Sequence, residues 1–201
     1  MYKKSIFVHG VDLHAAEMEI IARSRATLVI NPRSNLNNAV GLPKIKALEE
    51  AGVRLALGND GFGANLCAEA QTALGAFSTS AQDPSYGWEL LNRILFVNNP
   101  TIAGEHLNKV LGVIESGAAA DIAIFPYEPP SPLNTSNYFG HYLFGFGNTP
   151  ARDVIVNGKI RLRDGTPVGF NPETWAQEAR KVFQKVWQQR TLRGFHVRRP
   201  T

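Results

Sequence analysis

Cysteine is nearly absent. The single Cys67 excludes a disulfide framework and any cysteine-based zinc ribbon, so a metal centre would have to use His and carboxylates. That usage fits a reducing compartment and points to a cytoplasmic protein. Long apolar runs are missing too. No stretch approaches 18 apolar residues, and the first ten residues carry a basic pair without a long apolar segment and cleavage site, so neither a membrane span nor a secretory signal is expected. Acidic residues are missing from the C-terminal end, where Arg180, Lys181, Lys185, Arg190, Arg193, Arg198 and Arg199 follow one another unopposed. The rest of the chain holds 14 basic against 17 acidic residues, so the net charge of +4 belongs to one helix end and tail. A nucleic-acid reader spreads its basic residues over a face interleaved with aromatics, and no nucleic-acid partner is expected.

What is present is globular: 201 residues, 44% hydrophobic and 19% charged, enough for one sizeable core or two small ones. The first third repeats a short apolar run, a polar end and a helix-compatible stretch. Ser5-Ile6-Phe7-Val8 ends in His9-Gly10, Thr27-Leu28-Val29-Ile30 in Asn31-Pro32, and Val53-Arg54-Leu55-Ala56-Leu57 in Gly58-Asn59-Asp60-Gly61. The polar ends are 22 and 29 residues apart, close to the roughly 31 residues of one βα unit in a (β/α)8 barrel. Leu13, Ala16, Ile20 and Ile21 predict a helix capped by Asp12, and Ile45 and Leu48 a short one stopped by Gly52. Further helices are expected over 66–77, from Trp88 toward Phe96, and over 101–107.

The period then changes. Residues 112–117 and 121–125 predict two short strands around a turn, and residues 153–162 a hairpin about Asn157-Gly158. The Pro-rich, aromatic stretch from Pro126 to Pro150 predicts a packed connection. Trp175, Ala179, Val182, Phe183, Val186 and Trp187 form one apolar stripe on a final helix opened by Asn171-Pro172, and this stripe is expected to be core. The expected division is a barrel-like part over 1–107, a β portion over 108–168, and a helix with basic tail over 169–201.

In a parallel α/β sheet, residues just beyond the carboxyl ends of the strands face the ligand. His9, Asn31 and Asp60 hold three such ends in succession, flanked by small residues. The ordered set Val8-His9-Gly10, Asn31-Pro32-Arg33-Ser34-Asn35 and Leu57-Gly58-Asn59-Asp60-Gly61 resembles the last three barrel strands of the metal-dependent amidohydrolase superfamily, in its guanine deaminase, chlorohydrolase and cytosine deaminase-like branch. Within that branch it is most similar to the aminohydrolase associated with selenium metabolism. Residues 112–122 and Val154-Ile155-Val156-Asn157-Gly158-Lys159 extend the resemblance to about Arg190.

The resemblance implies an α/β fold: the last three strands of a TIM-type (β/α)8 barrel, part of a β-sandwich and a terminal helix. It implies a hydrolase that deaminates or dechlorinates a small heterocycle with zinc or iron. By it, Asp60 would bind the metal and take a proton from its water, and His9 would orient the hydroxide or developing oxyanion. Asn31, Ser34 and Asn35 would border the substrate. Asn59 departs from the Thr usual before the Asp, and its side chain is expected to point away from the metal position. The family's His-x-His pair, its fifth-strand His and its proton-shuttling Glu have no counterparts, since His14, His106, His141 and His196 fall outside the required strands. One of four ligands cannot hold a catalytic metal. The chain therefore reads as the C-terminal half of an enzyme, to be completed by an N-terminal half or a self-partner. The alternative is a non-catalytic remnant or interaction fragment of the fold. In either case the open sheet is expected to expose both of its edge strands.

Overall fold

The structure, a computed structural model, describes residues 4–192. Arg193, Arg198, Arg199 and His196 lie outside the described residues. Three parallel strands, β1 (Ile6–Val8), β2 (Thr27–Ile30) and β3 (Arg54–Leu57), form one sheet in the order β1-β2-β3. The βα grammar of the sequence is realised in register: Phe7 pairs with Leu28 and Leu28 with Leu55, so strand ends of the same sense share one edge.

Alternation along a strand divides the sheet into two faces. Phe7, Leu28, Ile30, Leu55 and Leu57 face a core built with Met18 and Ile21 of α1 (Ala15–Ser24), Leu48 of α3 (Ile45–Glu50) and Phe77 of α4 (Leu66–Ala81). Ile6, Val8, Val29 and Ala56 lie on the other face, where Ile6 is 46% and Val8 51% exposed. A parallel sheet is ordinarily covered on both faces. Among the described residues, this one is covered fully on one, while the other is open at β1 and buried at Thr27 and Ala56.

The helix α5 (Trp88–Arg93) continues through a π-helical stretch (Ile94–Asn98) into α6 (Asn99–Leu107). Here the structure departs from the expected bare edge on β3. The Asn98 amide donates to the Leu55 carbonyl at 2.8 Å, and Asn99 both accepts from Leu57 N–H at 3.1 Å and donates to the Leu57 carbonyl at 2.9 Å. Two side chains thus stand in for a neighbouring strand. Unpaired backbone is costly unless hydrated, and this is one way an edge is blunted.

The aromatic connection is packed, as its composition predicts. After the short helices α2 (Pro32–Asn37) and α7 (Tyr138–Gly140) are counted, α7 runs into a π-helical turn (His141–Phe146), and Phe139 and Leu143 enter the main core. Trp88 meets Phe139 edge-on at 4.8 Å between ring centres. A second, antiparallel sheet has the order β4 (Ile122–Ile124), β5 (Asp153–Val156), β6 (Lys159–Arg163) and β7 (Thr166–Pro167). Its β5–β6 turn is the expected Asn157-Gly158 pair, with φ of 50° and 75°, the left-handed pair that a tight hairpin requires.

Three expectations fail. Residues 112–117 are not a strand: Gly112 and Gly117 both have left-handed φ, and a side chain at Gly112 would collide with Pro100, so the segment turns instead. Asp12 is not the cap of α1, because His14 takes that position and Glu17 reaches back to accept from the His14 N–H at 2.8 Å. The stripe on α8 (Pro172–Leu192) is not core: Trp175 is 63%, Phe183 71% and Trp187 65% exposed. The helical period was right, but among the described residues no apolar layer covers it. Trp187 instead carries the Arg190 guanidinium over its ring at 4.9 Å.

Candidate active site

The carboxyl ends of the three strands converge on His9, Asn31 and Asp60. His9 extends the ladder by one residue, its N–H donating to the Val29 carbonyl at 2.9 Å, and then turns with φ of 70°. Asp60 has φ of 48°. His and Asp tolerate the left-handed region better than most residues, but two such turns, at the ends of the strands that flank β2, mark positions fixed by their surroundings. Gly58, two residues before Asp60, is required by contact: a Cβ there would lie 2.7 Å from both Asn31 Oδ1 and Val29 Cγ1.

Helix α2 begins at the Asn31 strand end with Pro32 in its first turn and places Ser34 and Asn35 between the other two ends. Ser34 Oγ donates to Asp60 Oδ2 at 2.6 Å, and Asn35 Oδ1 lies 2.7 Å from His9 Nδ1. His9 Nε2 and Asp60 Oδ2 are 3.8 Å apart, with both side chains about two-fifths exposed. The exposed part of the cluster is therefore contributed by the His9 and Asp60 side chains. Asn31, Ser34 and Asn35 are buried around it, at 2%, 4% and 1% exposure. Asn59 is turned to its own loop, donating to the Gly63 carbonyl at 3.0 Å.

One residue of the cluster escaped sequence reasoning. Glu69, in the first turn of α4, is fully buried, and its Oε1 accepts from the Arg33 backbone N–H at 2.8 Å. Its other oxygen has no hydrogen-bond partner and lies 4.0 Å from Arg33 Nε. Burial pushes its carboxyl above the ordinary range, the Arg33 N–H and guanidinium oppose this, and the nearby Asp60 charge adds to it. Arg33 in turn stacks over Phe62 of the Asp60 loop at 4.6 Å. The available signal was an acidic residue in the first turn of an otherwise apolar helix, which is also what a surface helix shows.

Elsewhere, His141 lies between Tyr127 Oη at 2.7 Å and Ser131 Oγ at 3.3 Å and anchors the aromatic connection. Among the described residues no group of three or more His, Cys, Asp or Glu side chains could enclose a metal ion. His9 and Asp60 offer two donors where a catalytic zinc takes about three protein ligands. The described residues alone do not fit a complete metal centre. No helix of the described chain is long and apolar enough to cross a membrane.

A parallel βα array that carries an imidazole and a carboxylate at the ends of its two outer strands has the strand arrangement of a TIM-type barrel, a fold whose ligand face is the carboxyl end of the strands. The model of the Amidohydrolase family matches residues 2–161, and the chain belongs to that family. It is 30% identical over 178 residues to a 5-methylthioadenosine/S-adenosylhomocysteine deaminase of Halobacterium salinarum, an alignment covering 85% of this chain and 40% of the relative. An adenosine deaminase structure from Xanthomonas campestris with bound zinc superposes with a TM-score of 0.78 at 23% identity, over 93% of this chain and 43% of that one. An atrazine chlorohydrolase from Arthrobacter aurescens complexed with zinc gives 0.71 at 21%, over 88% and 40%. The chain thus spans about two-fifths of the length of the proteins it matches.

Proposed function

We propose that this chain contributes the His9–Asp60 part of a metal-dependent hydrolytic site that deaminates, or in related chemistry dechlorinates, a small heterocycle such as a purine nucleoside. The observation that carries the reading is the approach of His9 Nε2 to Asp60 Oδ2, 3.8 Å apart, from the ends of the two outer strands β1 and β3 on either side of β2. Membership of the Amidohydrolase family supports it, as does the naming of relatives as adenosine-type deaminases. In this reading the uncovered face at Ile6 and Val8 is closed by further barrel strands, which bring the remaining metal donors. A metal held there would activate water.

The chain's own residues would divide the work. Asp60, held by the Ser34 hydroxyl, offers Oδ1 and Oδ2 as anionic acceptors for a proton or a cation. His9 presents Nε2 to the same opening. Asn31 and Ser34 are assigned to shaping the floor of the site, since both are buried. The finer resemblance, to the aminohydrolase associated with selenium metabolism, is part of this proposal and rests on the strand-end motifs. A barrel-forming part over 1–107 with an accessory β portion over 108–168 is likewise proposed.

The test is co-expression with the first five strands of the Halobacterium salinarum deaminase. Ammonia release from 5-methylthioadenosine, abolished by Asp60→Ala, is the expected result. A stable co-purified complex that releases no ammonia from purine nucleosides, and no chloride from chlorinated triazines, would favour the non-catalytic reading.

A further inference from the structure

We infer that Asn35 is a positioning residue that fixes His9 as its Nδ1–H tautomer, so that Nε2 faces Asp60 as a lone pair and not as an N–H donor. The geometry is direct. Asn35 Oδ1 is an acceptor only, and it lies 2.7 Å from His9 Nδ1. Two lone pairs at that distance repel, so Nδ1 must carry the proton. In a neutral imidazole the second nitrogen is then unprotonated.

Burial makes this arrangement hard to exchange. Asn35 is 1% exposed, its backbone N–H is already bonded to the Asn31 carbonyl at 3.0 Å, and its Nδ2 is buried without a partner. A side chain so enclosed acts on the opening through His9, so Asn35 is assigned here as a positioning residue. Its one outward interaction is with His9. On the same helix one residue earlier, Ser34 donates to Asp60 Oδ2. The first turn of α2 therefore sets both groups: Ser34 orients the carboxylate, and Asn35 selects which imidazole nitrogen carries hydrogen.

A consequence follows for the site. Asp60 Oδ2 and His9 Nε2, 3.8 Å apart, are both acceptors, so what bridges them is a proton donor or a cation. Neutral His9 in this state accepts from a water or lends its lone pair, and it does not donate to an oxyanion. This catalytic meaning rests on the hydrolase reading above. The tautomer itself does not.

The experiment is nitrogen NMR on the full chain labelled with 15N-histidine, at pH about 8.5. Magic-angle spinning of the sedimented protein gives the same signals if the chain associates. His9→Gln identifies the resonances of His9. The expected result is a pyrrole-type Nδ1 and a pyridine-type Nε2 in the wild type. Asn35→Leu should shift the tautomer ratio by about tenfold toward Nε2–H, the effect of losing one hydrogen bond. Asn35→Asp keeps an acceptor and should restore Nδ1–H. A pyridine-type Nδ1 in the wild type would overturn the inference, because it would mean that the Asn35 amide is reversed and donates to His9. So would an unchanged ratio in a folded Asn35→Leu. The wild-type spectrum decides even if that variant fails to fold, and absence of deaminase activity in the complemented enzyme would leave these nitrogen signals where they are.

Discussion

Replacing Glu69 separates two effects that a buried carboxylate combines. The Arg33 N–H it accepts lies at the start of α2, where a helix has no internal acceptor to offer. Glu69→Ala removes that acceptor and leaves an enclosed donor, at a cost of about 1.5–3 kcal/mol, the range for a hydrogen bond to a charged group. Glu69→Gln keeps an acceptor oxygen of the same reach and discharges an atom that now lies buried without a hydrogen-bond partner. Removing that penalty opposes any loss of attraction to Arg33 Nε at 4.0 Å. Gln should therefore be neutral or stabilising at pH 7, whereas Ala should be destabilising. The pH dependence follows from the raised carboxyl. The folded state holds its proton to higher pH than the unfolded state, so the contribution is full below the unfolded value of about 4.5 and is lost as pH rises through the folded value. Urea unfolding of the three proteins from pH 4 to 8 checks both points, and Gln should flatten the decline seen in the wild type. A Gln variant that costs as much as Ala at pH 7 would show instead that the charge itself is required.

Three further outcomes are expected. Tyr86 and Tyr142, both pushed up to about 12 chiefly by burial, should stay protonated at pH 11 in a spectrophotometric titration while exposed phenols ionise; the stability they lend is full below pH 10 and lost as pH rises through 12. Asn99→Leu removes both bonds to Leu57 on the β3 edge, at about 1 kcal/mol each, and should raise self-association in analytical ultracentrifugation. Trp187→Ala should change the unfolding free energy of the chain by less than about 1 kcal/mol, because its ring is mostly exposed, whereas Phe77→Ala, at 1% exposure, should cost about 3–5 kcal/mol by denaturant titration.

The barrel strands were legible because each signal was local: an apolar run of four or five residues, a polar end, and a helix before the next run. The Asn157-Gly158 hairpin was legible for the same reason. Residues 112–117 misled because a strand-like string ignores two glycines with left-handed φ and the packing of one of them on Pro100. The α8 stripe misled in another way. A helical period establishes which residues share a face, but not what covers that face. At the site, position along the strands singled out His9, Asn31 and Asp60. The links through Ser34 and Asn35 depend on a six-residue helix whose rotation no pattern announces. Glu69 reaches Arg33 across 36 positions of chain, a contact made only by tertiary packing.

The central claim, that His9 and Asp60 belong to a metal-dependent hydrolytic site completed by further barrel strands, is tested most directly by zinc content. The wild-type chain, its Asp60→Ala variant and its His9→Ala variant are each co-purified with the first five strands of the Halobacterium salinarum deaminase, and metal is counted by mass spectrometry. A stoichiometric zinc in the wild-type complex, lost in Asp60→Ala and absent from the chain alone, is the predicted result. Zinc retained undiminished by the Asp60→Ala complex would contradict it.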